Sequence, residues 1–254
     1  AKADFMKSIE SAYNERNNTE NSKYFNACLD HFLTNEPMMG IEMEYQLYQQ
    51  IIPNLPLEAI NQFASQLIKN DNLVITLSAP KKDGETLPTE EELLAMYNNA
   101  NAMEVEPYQE EVFDGPIVPE LPKPGTVKKE TTNETFGTTE WTLSNGMKVI
   151  YKQTDFKEDE IRMSAYSPGG LTALPQDDPY TLQVLGDIIT LGGVGEFSAI
   201  DLPKVLAGKK VSVSPDISIY AEGMSGSCSP KDLETMLQLV YLYFTAPRAD
   251  QEAF

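Results

Sequence analysis

Trp141-Thr142-Leu143-Ser144-Asn145-Gly146-Met147-Lys148-Val149-Ile150-Tyr151 is the stretch on which the fold turns. Two runs rich in β-branched and aromatic residues flank an Asn-Gly pair. A two-residue type I′ turn needs φ > 0 at both central positions, and Asn-Gly meets that need at the least steric cost. The stretch therefore predicts an antiparallel hairpin. Beyond it, Ile161, Met163 and Ala165 alternate with Arg162 and Ser164, a period of two that predicts another strand. Pro168-Gly169-Gly170 stops it. Pro179 to Leu191 reads as a helix ended by Gly192-Gly193. Val211 and Val213 mark one more strand, and residues 218–227 another. Ser229-Pro230-Lys231-Asp232 reads as a capping box that opens a helix through Met236, Leu237, Val240 and Phe244. Hairpin-joined strands with helices set between them predict an α+β fold, an antiparallel sheet with helices packed on one face.

Upstream the pattern is helical. Phe5, Met6, Ile9 and Tyr13 form one stripe; Tyr24, Cys28, His31 and Phe32 form a second; Ile41, Tyr45 and Tyr48 form a third. Leu57, Ile60, Phe63, Ala64 and Leu67 form a fourth, with Pro56 near its first turn. Leu73 to Leu77 is a short β-rich run, read as a buried strand. Thr89-Glu90-Glu91-Glu92 fits a capping box ahead of Leu93, Leu94 and Tyr97. Between 104 and 139 stand Pro107, Pro116, Pro119, Pro122 and Pro124, and residues 81–140 carry 14 acids against 5 bases. Proline fixes φ and lacks an N–H, so residues 101–138 read as an acidic linker. The expected organisation is a mostly helical part at 1–100, a linker at 101–138, and the sheet domain at 139–254. Both ends of the chain read as cuts through helices, as in a piece of a larger protein.

Charge and composition narrow the chemistry. The 254 residues hold 39 acidic and 19 basic side chains, a net charge of -20. That argues against a nucleic-acid or anionic-membrane surface, because such binding needs Lys and Arg to neutralise phosphates. No apolar run is long enough to span a bilayer. Two cysteines make no disulfide framework. One histidine, His31, removes most routes to zinc or acyl-transfer chemistry.

The remaining motifs favour structural readings. Cys28 and His31 share a helix face at i, i+3, but a zinc site needs three or four protein ligands, and only Cys228 and scattered carboxylates remain to complete one. Gly192-Gly193-Val194-Gly195-Glu196 follows a helix and lacks a Lys, so it reads as a helix end and turn, not a phosphate cradle. Gly223-Met224-Ser225-Gly226-Ser227 is no nucleophile elbow. Glu90, Glu91 and Glu92 read as charge favoured by a helix N-terminus. No catalytic, cofactor-binding or metal-ligating residue is singled out.

Taken together, several stretches resemble the pitrilysin/insulinase-type zinc metallopeptidases, the inverzincins. Leu143-Ser144-Asn145-Gly146-Met147-Lys148-Val149 is similar to the opening hairpin of one half of such an enzyme. Ser164 to Gly170 resembles its next strand and turn. Gly193-Val194-Gly195-Glu196-Phe197-Ser198 with Leu202-Pro203-Lys204-Val205-Leu206-Ala207-Gly208-Lys209 resembles a stretch of the inactive second half. Ser229 to Glu234, with Phe244-Thr245-Ala246-Pro247-Arg248, resembles the closing helix and turn, and Leu87 to Leu94 the end of the first half in periplasmic bacterial forms. The resemblance implies two halves that close as a clamshell on peptide substrates, with zinc held by an H-x-x-E-H helix and a later Glu. The matching helix here, around Asp187 to Leu191, has no His. The resemblance thus implies a non-catalytic central section, chamber wall and hinge, with zinc in the parent protein and none in this segment. It implies peptide or protein substrates and the other domains of the same chain as partners, and a periplasmic or cell-envelope location. The family also contains inactive members that assist an active one, so a catalytically inactive partner or peptide-binding subunit is the alternative.

Overall fold

The computed structural model describes residues 1–67, 72–80, 84, 86–106, 113, 115–175, 179–251 and 253. They form two units, Leu55–Val112 in one and Ala1–Asn54 with Phe113–Phe254 in the other.

The smaller unit holds α4 (Leu57–Ala64) and α5 (Glu90–Ala102). Pro56 is the residue just before α4, next to its first turn. The Thr89 hydroxyl accepts the Glu92 N–H at 3.3 Å, and the Glu92 carboxylate accepts the Thr89 N–H at 2.8 Å. This reciprocal pair satisfies two amides that a helix start leaves open. Leu73 to Leu77 forms no strand, contrary to its apolar reading, and Val74 is 81% exposed. Strand propensity needs a neighbouring strand to act, and among the described residues none pairs with this run.

In the larger unit, α1 (Lys2–Asn14), α2 (Asn21–Thr34) and α3 (Ile41–Asn54) come first. Three strands follow, β1 (Val127–Asn133), β2 (Thr138–Leu143) and β3 (Lys148–Tyr151), forming an antiparallel meander. A second antiparallel sheet has the order β4-β6-β5, from β4 (Ile161–Pro168), β5 (Val211–Ile217) and β6 (Ala221–Cys228). The helices α6 (Pro179–Leu191), α7 (Leu202–Val205) and α8 (Leu233–Thr245) complete it. One sheet was expected and two are found.

The second sheet follows its alternation. Val211, Val213, Pro215 and Ile217 are half-buried, while Ser212, Ser214 and Asp216 are exposed. Ile217 meets α6 at Gly186, and Val213 packs on the cluster that holds Leu239 and Leu242 of α8. These residues share one face of β5, so both helices lie on that face, as the α+β expectation requires. Val194, Phe197, Leu239 and Leu242 form the core with Ile117 and Val118.

Those last two residues lie within the stretch read as a linker and are packed all the same. Pro116 and Pro119 bracket an apolar pair that is inserted into the core, and Phe113 meets Phe197 edge-on at 4.7 Å. Val127–Asn133 is likewise paired, along β2. Its polar sequence hides a strand because it is exposed along its whole length and is held by ladder bonds, together with the Trp141 indole N–H donating to Glu130 at 2.7 Å. Pro107 lies outside the described residues.

The hairpin turn also differs from expectation. Gly146 has φ +89°, but Asn145 is not in the positive region. The Gly146 N–H donates to Leu143 at 3.0 Å and the Leu143 N–H to Met147 at 2.8 Å. This is a three-residue loop with Gly in the left-handed position, the other common way to close a hairpin, rather than type I′.

Leu239→Ala should lower the stability of this unit by roughly 2–5 kcal/mol, the cost of lost burial plus a cavity, read as a fall in urea midpoint by circular dichroism. Gly146→Val should cost on the order of 1–2 kcal/mol for a left-handed non-glycine residue. Fluorescence of Trp141, the one tryptophan, reports that change from inside the meander.

Candidate functional site

The most strongly built polar arrangement joins α1 to the second sheet. Lys7 on α1 is buried, with its Nζ 3.5 Å from an Asp232 carboxylate oxygen, 3.5 Å from the Ser229 hydroxyl and 3.7 Å from Glu10. Asp232 stands at the start of α8. It accepts the Ser229 hydroxyl at 2.5 Å and the Lys210 backbone N–H at 2.9 Å. The Ser229 N–H donates to the Lys210 carbonyl at 2.9 Å. Lys210 Nζ donates to the Ser11 hydroxyl at 2.8 Å and to the Asp159 carbonyl at 2.7 Å, 3.4 Å from the Asp159 carboxylate. Lys231 pairs with Glu10 at 2.7 Å.

The expected capping box at Ser229 is therefore not formed. The Ser229 side chain takes no helix N–H, because its hydroxyl donates to Asp232. Burial pushes the Asp232 carboxyl upward. The Ser229 hydroxyl, the Lys210 amide and the Lys7 ammonium outweigh it and hold the group below the usual carboxylate value. The hydrogen bond to Glu10 raises Lys231.

A hydroxyl, a carboxylate and an ammonium in contact have the composition of a nucleophilic site. Their geometry does not. Ser229 is 0% exposed, so no substrate reaches it. Its proton points at Asp232, a carboxylate made less basic by its neighbours. The Lys7 ammonium lies between two carboxylates and offers only donors. The arrangement binds α1 to the sheet rather than activating a nucleophile.

The residues singled out in the sequence are scattered. Cys28 is exposed on α2 and Cys228 is buried in β6, so the two thiols occupy different environments. His31 Nδ1 lies 2.6 Å from the Glu36 carbonyl, and the His31 carbonyl accepts the N–H of Asn35, whose φ of 59° ends α2. These residues do not fit a zinc site, and among the described residues no group of three or more His, Cys, Asp or Glu is placed to hold a metal. At the glycine run, a Cβ on Gly192 would collide with the Arg248 carbonyl, and Gly195 donates to Ala246 at 2.8 Å. The chain itself fills the space a phosphate would need. Helix α6 carries Asp187 and Thr190 on its exposed side and no His.

The Asp232 cluster escapes sequence reading because its members lie as far apart as Lys7 and Asp232, and each alone looks like a surface charge. The only local signal is Ser229-Pro230-Lys231-Asp232, which was read as a cap.

Because the folded-state pKa of Asp232 is depressed, its stabilisation is full above the ordinary value of about 3.9 and is lost as pH falls through the lower folded value. The urea-midpoint difference between the native protein and Asp232→Asn should hold from pH 7 to about 4 and shrink below. Burial pushes the Cys228 thiol up. A thiol reagent at neutral pH should thus label Cys28 alone in the folded protein and both cysteines after denaturation.

No protein-family model matches the chain. It is 34% identical over 251 residues to a zinc protease PQQL-like protein of Arabidopsis thaliana, covering 97% of this chain and 23% of that one. It is 25% identical over 212 residues to a probable zinc protease PqqL of Haemophilus influenzae, covering 81% of this chain and 22% of the relative. Among solved structures, the periplasmic protease PqqL of Escherichia coli matches 99% of this chain and 28% of its own, at a TM-score of 0.52 and 17% identity. The ferredoxin protease FusC, solved with Arabidopsis ferredoxin, matches 91% of this chain and 26% of its own, at 0.50 and 19%. These two likenesses show a shared fold. The chain spans less than a quarter of the length of the curated relatives it matches. Over that stretch it belongs to the pitrilysin-type zinc proteases, beside their PqqL-like members.

Proposed function

We propose that this chain is a non-catalytic section of a zinc-dependent endopeptidase that hydrolyses peptides in a clamshell chamber, and that it forms chamber wall and hinge. On this reading residues 1–100 close the first half of the parent, 101–138 cross to the second, and 139–254 open the half without zinc. Zinc and peptide hydrolysis belong to other parts of the parent. A periplasmic or cell-envelope setting suits a bacterial parent, as for the E. coli relative; the Arabidopsis relative is eukaryotic.

The observation that carries the reading is α6. By the resemblance it corresponds to the H-x-x-E-H helix, and its residues Pro179–Leu191 contain no His. A second observation supports a section rather than a self-sufficient enzyme. Large apolar side chains such as Phe25, Phe32 and Leu33 on α2 are left in solvent. A surface of that kind is covered by neighbours in a larger protein. No helix among the described residues is long and apolar enough to cross a membrane.

Purified chain should bind no stoichiometric zinc by elemental analysis and cleave no fluorogenic peptide, with or without added zinc. Chelator-sensitive cleavage by this polypeptide alone would overturn the reading.

A further inference from the structure

Helix α1 has two faces of different chemistry. Phe5 meets Tyr48 of α3 edge-on at 4.9 Å, and Tyr13 stacks on Tyr45 at 4.7 Å. Positions 5, 9 and 13 thus make an apolar face toward α3, the i, i+4 arrangement of a helix pair. The opposite side carries Asp4, Lys7 and Ser11, continued by Glu15 just past the helix end. Asp4 accepts the Gly208 N–H at 2.8 Å, Lys7 meets Ser229 and Asp232, Ser11 accepts from Lys210, and Glu15 accepts the Asp159 N–H at 2.7 Å. The apolar residues of α1 take no part in the core cluster of Val194, Phe197, Leu239 and Leu242. Its seat on the sheet-bearing body is made of charges and hydrogen bonds.

We propose that α1, with α3 on its back, is a strap that seats on this body electrostatically and lifts as one unit while the body stays folded. The argument is one of selectivity. Apolar contact holds α1 to α3 irrespective of salt. The charged face works by complementarity, with Glu10 toward Lys231, Asp4 and Glu15 toward backbone N–H groups, the Ser11 hydroxyl toward Lys210, and Lys7 toward Asp232. Such contacts weaken with salt, and removing one partner leaves a buried charge uncompensated. A surface held this way separates before the apolar core behind it melts. On the proposed function, α1 lies at the end of the first half and the body begins the second, which makes the strap the joint between halves. That role rests on the proposed function; the strap itself does not.

Two backbone amides report the seating directly, because their acceptors are α1 carboxylates: Gly208 through Asp4 and Asp159 through Glu15. Hydrogen exchange of the full chain, read by NMR or fragment mass spectrometry, follows both alongside the β6 amides. Lys7→Glu should speed exchange at Gly208 and Asp159 at least tenfold with β6 unchanged. In the native chain, 1 M NaCl, where the screening length is about 3 Å, should speed the same two amides several-fold. If Lys7→Glu does not fold, Glu15→Ala and Asp4→Ala take its place. A strap that lifts as one unit makes Glu15→Ala speed Gly208 and Asp4→Ala speed Asp159, each at the far end of α1. An effect confined to the amide that lost its own acceptor overturns the proposal, as does acceleration at Gly208 and Asp159 only in step with β6. Failure of the strap leaves the zinc and peptidase assays untouched, so the two readings fail separately.

Discussion

The Asp232 carboxylate is the point on which the larger unit depends. It lies where β6 hands the chain to α8, and it holds the Ser229 hydroxyl at the end of β6, the Lys210 N–H just ahead of β5, and the Lys7 ammonium from α1. One side chain therefore fixes the exit of one strand, the entry of its neighbour, the start of the covering helix and the docking of the first helix. A negative group at the first turn of α8 also suits the helix dipole. Burying the pair is costly, and the attraction between Lys7 and Asp232 recovers that cost only because hydrogen bonds fill the other positions on the carboxylate. Deleting one partner of such a pair typically costs about 3–5 kcal/mol, more than deleting most single apolar contacts.

That geometry explains how α8 reaches the core. The 3-10 turn Pro230–Asp232 reverses the chain after β6, and Asp232 donates its N–H to the Ser229 carbonyl at 3.0 Å. The helix then runs back over the sheet. Met236 stands over Gly226, whose missing side chain makes room for its sulfur, and Leu239 and Leu242 enter the cluster with Val194 and Phe197. Residues 192–197 complete the layer because Gly192 lets the Arg248 carbonyl approach too closely for any other residue. The glycines of this helix end and turn let two stretches of backbone touch.

Local chemistry was legible in the sequence where local chemistry decides. The bounds of α6, the Thr89 capping box and the alternation in β4 and β5 follow from period and cap. The misses share a cause: each turns on pairing that the local pattern does not reveal. Val127–Asn133 becomes a strand through β2, and Ile117 and Val118 leave an apparent linker because a core lies ready to take them. Leu73 to Leu77 has strand composition and, among the described residues, no partner strand. The three-residue form of the hairpin loop is set by Leu143 pairing with Met147, which Asn-Gly alone does not reveal. The Asp232 cluster is the extreme case, assembled from four separated segments of charged or polar residues that propensity places at the surface.

The same separation of local from remote bears on how far a fold constrains its chemistry. Helix α6 is seated by a half-buried stripe of Leu182, Leu185, Ile188 and Ile189, spaced by three and four residues, and by Gly186 lying against Ile217 of β5. None of these contacts uses Asp187 or Thr190 on the exposed side. A helix held by its apolar stripe keeps its place whatever its outer residues become, so ligands on such a helix can be exchanged without cost to the sheet beneath. Fold and site are then independent variables. In this chain the polar groups with the composition of a catalytic set, Ser229, Asp232 and Lys7, are closed to solvent and bind a helix. Access and the direction of the proton, more than residue type, separate a structural cluster from a catalytic one.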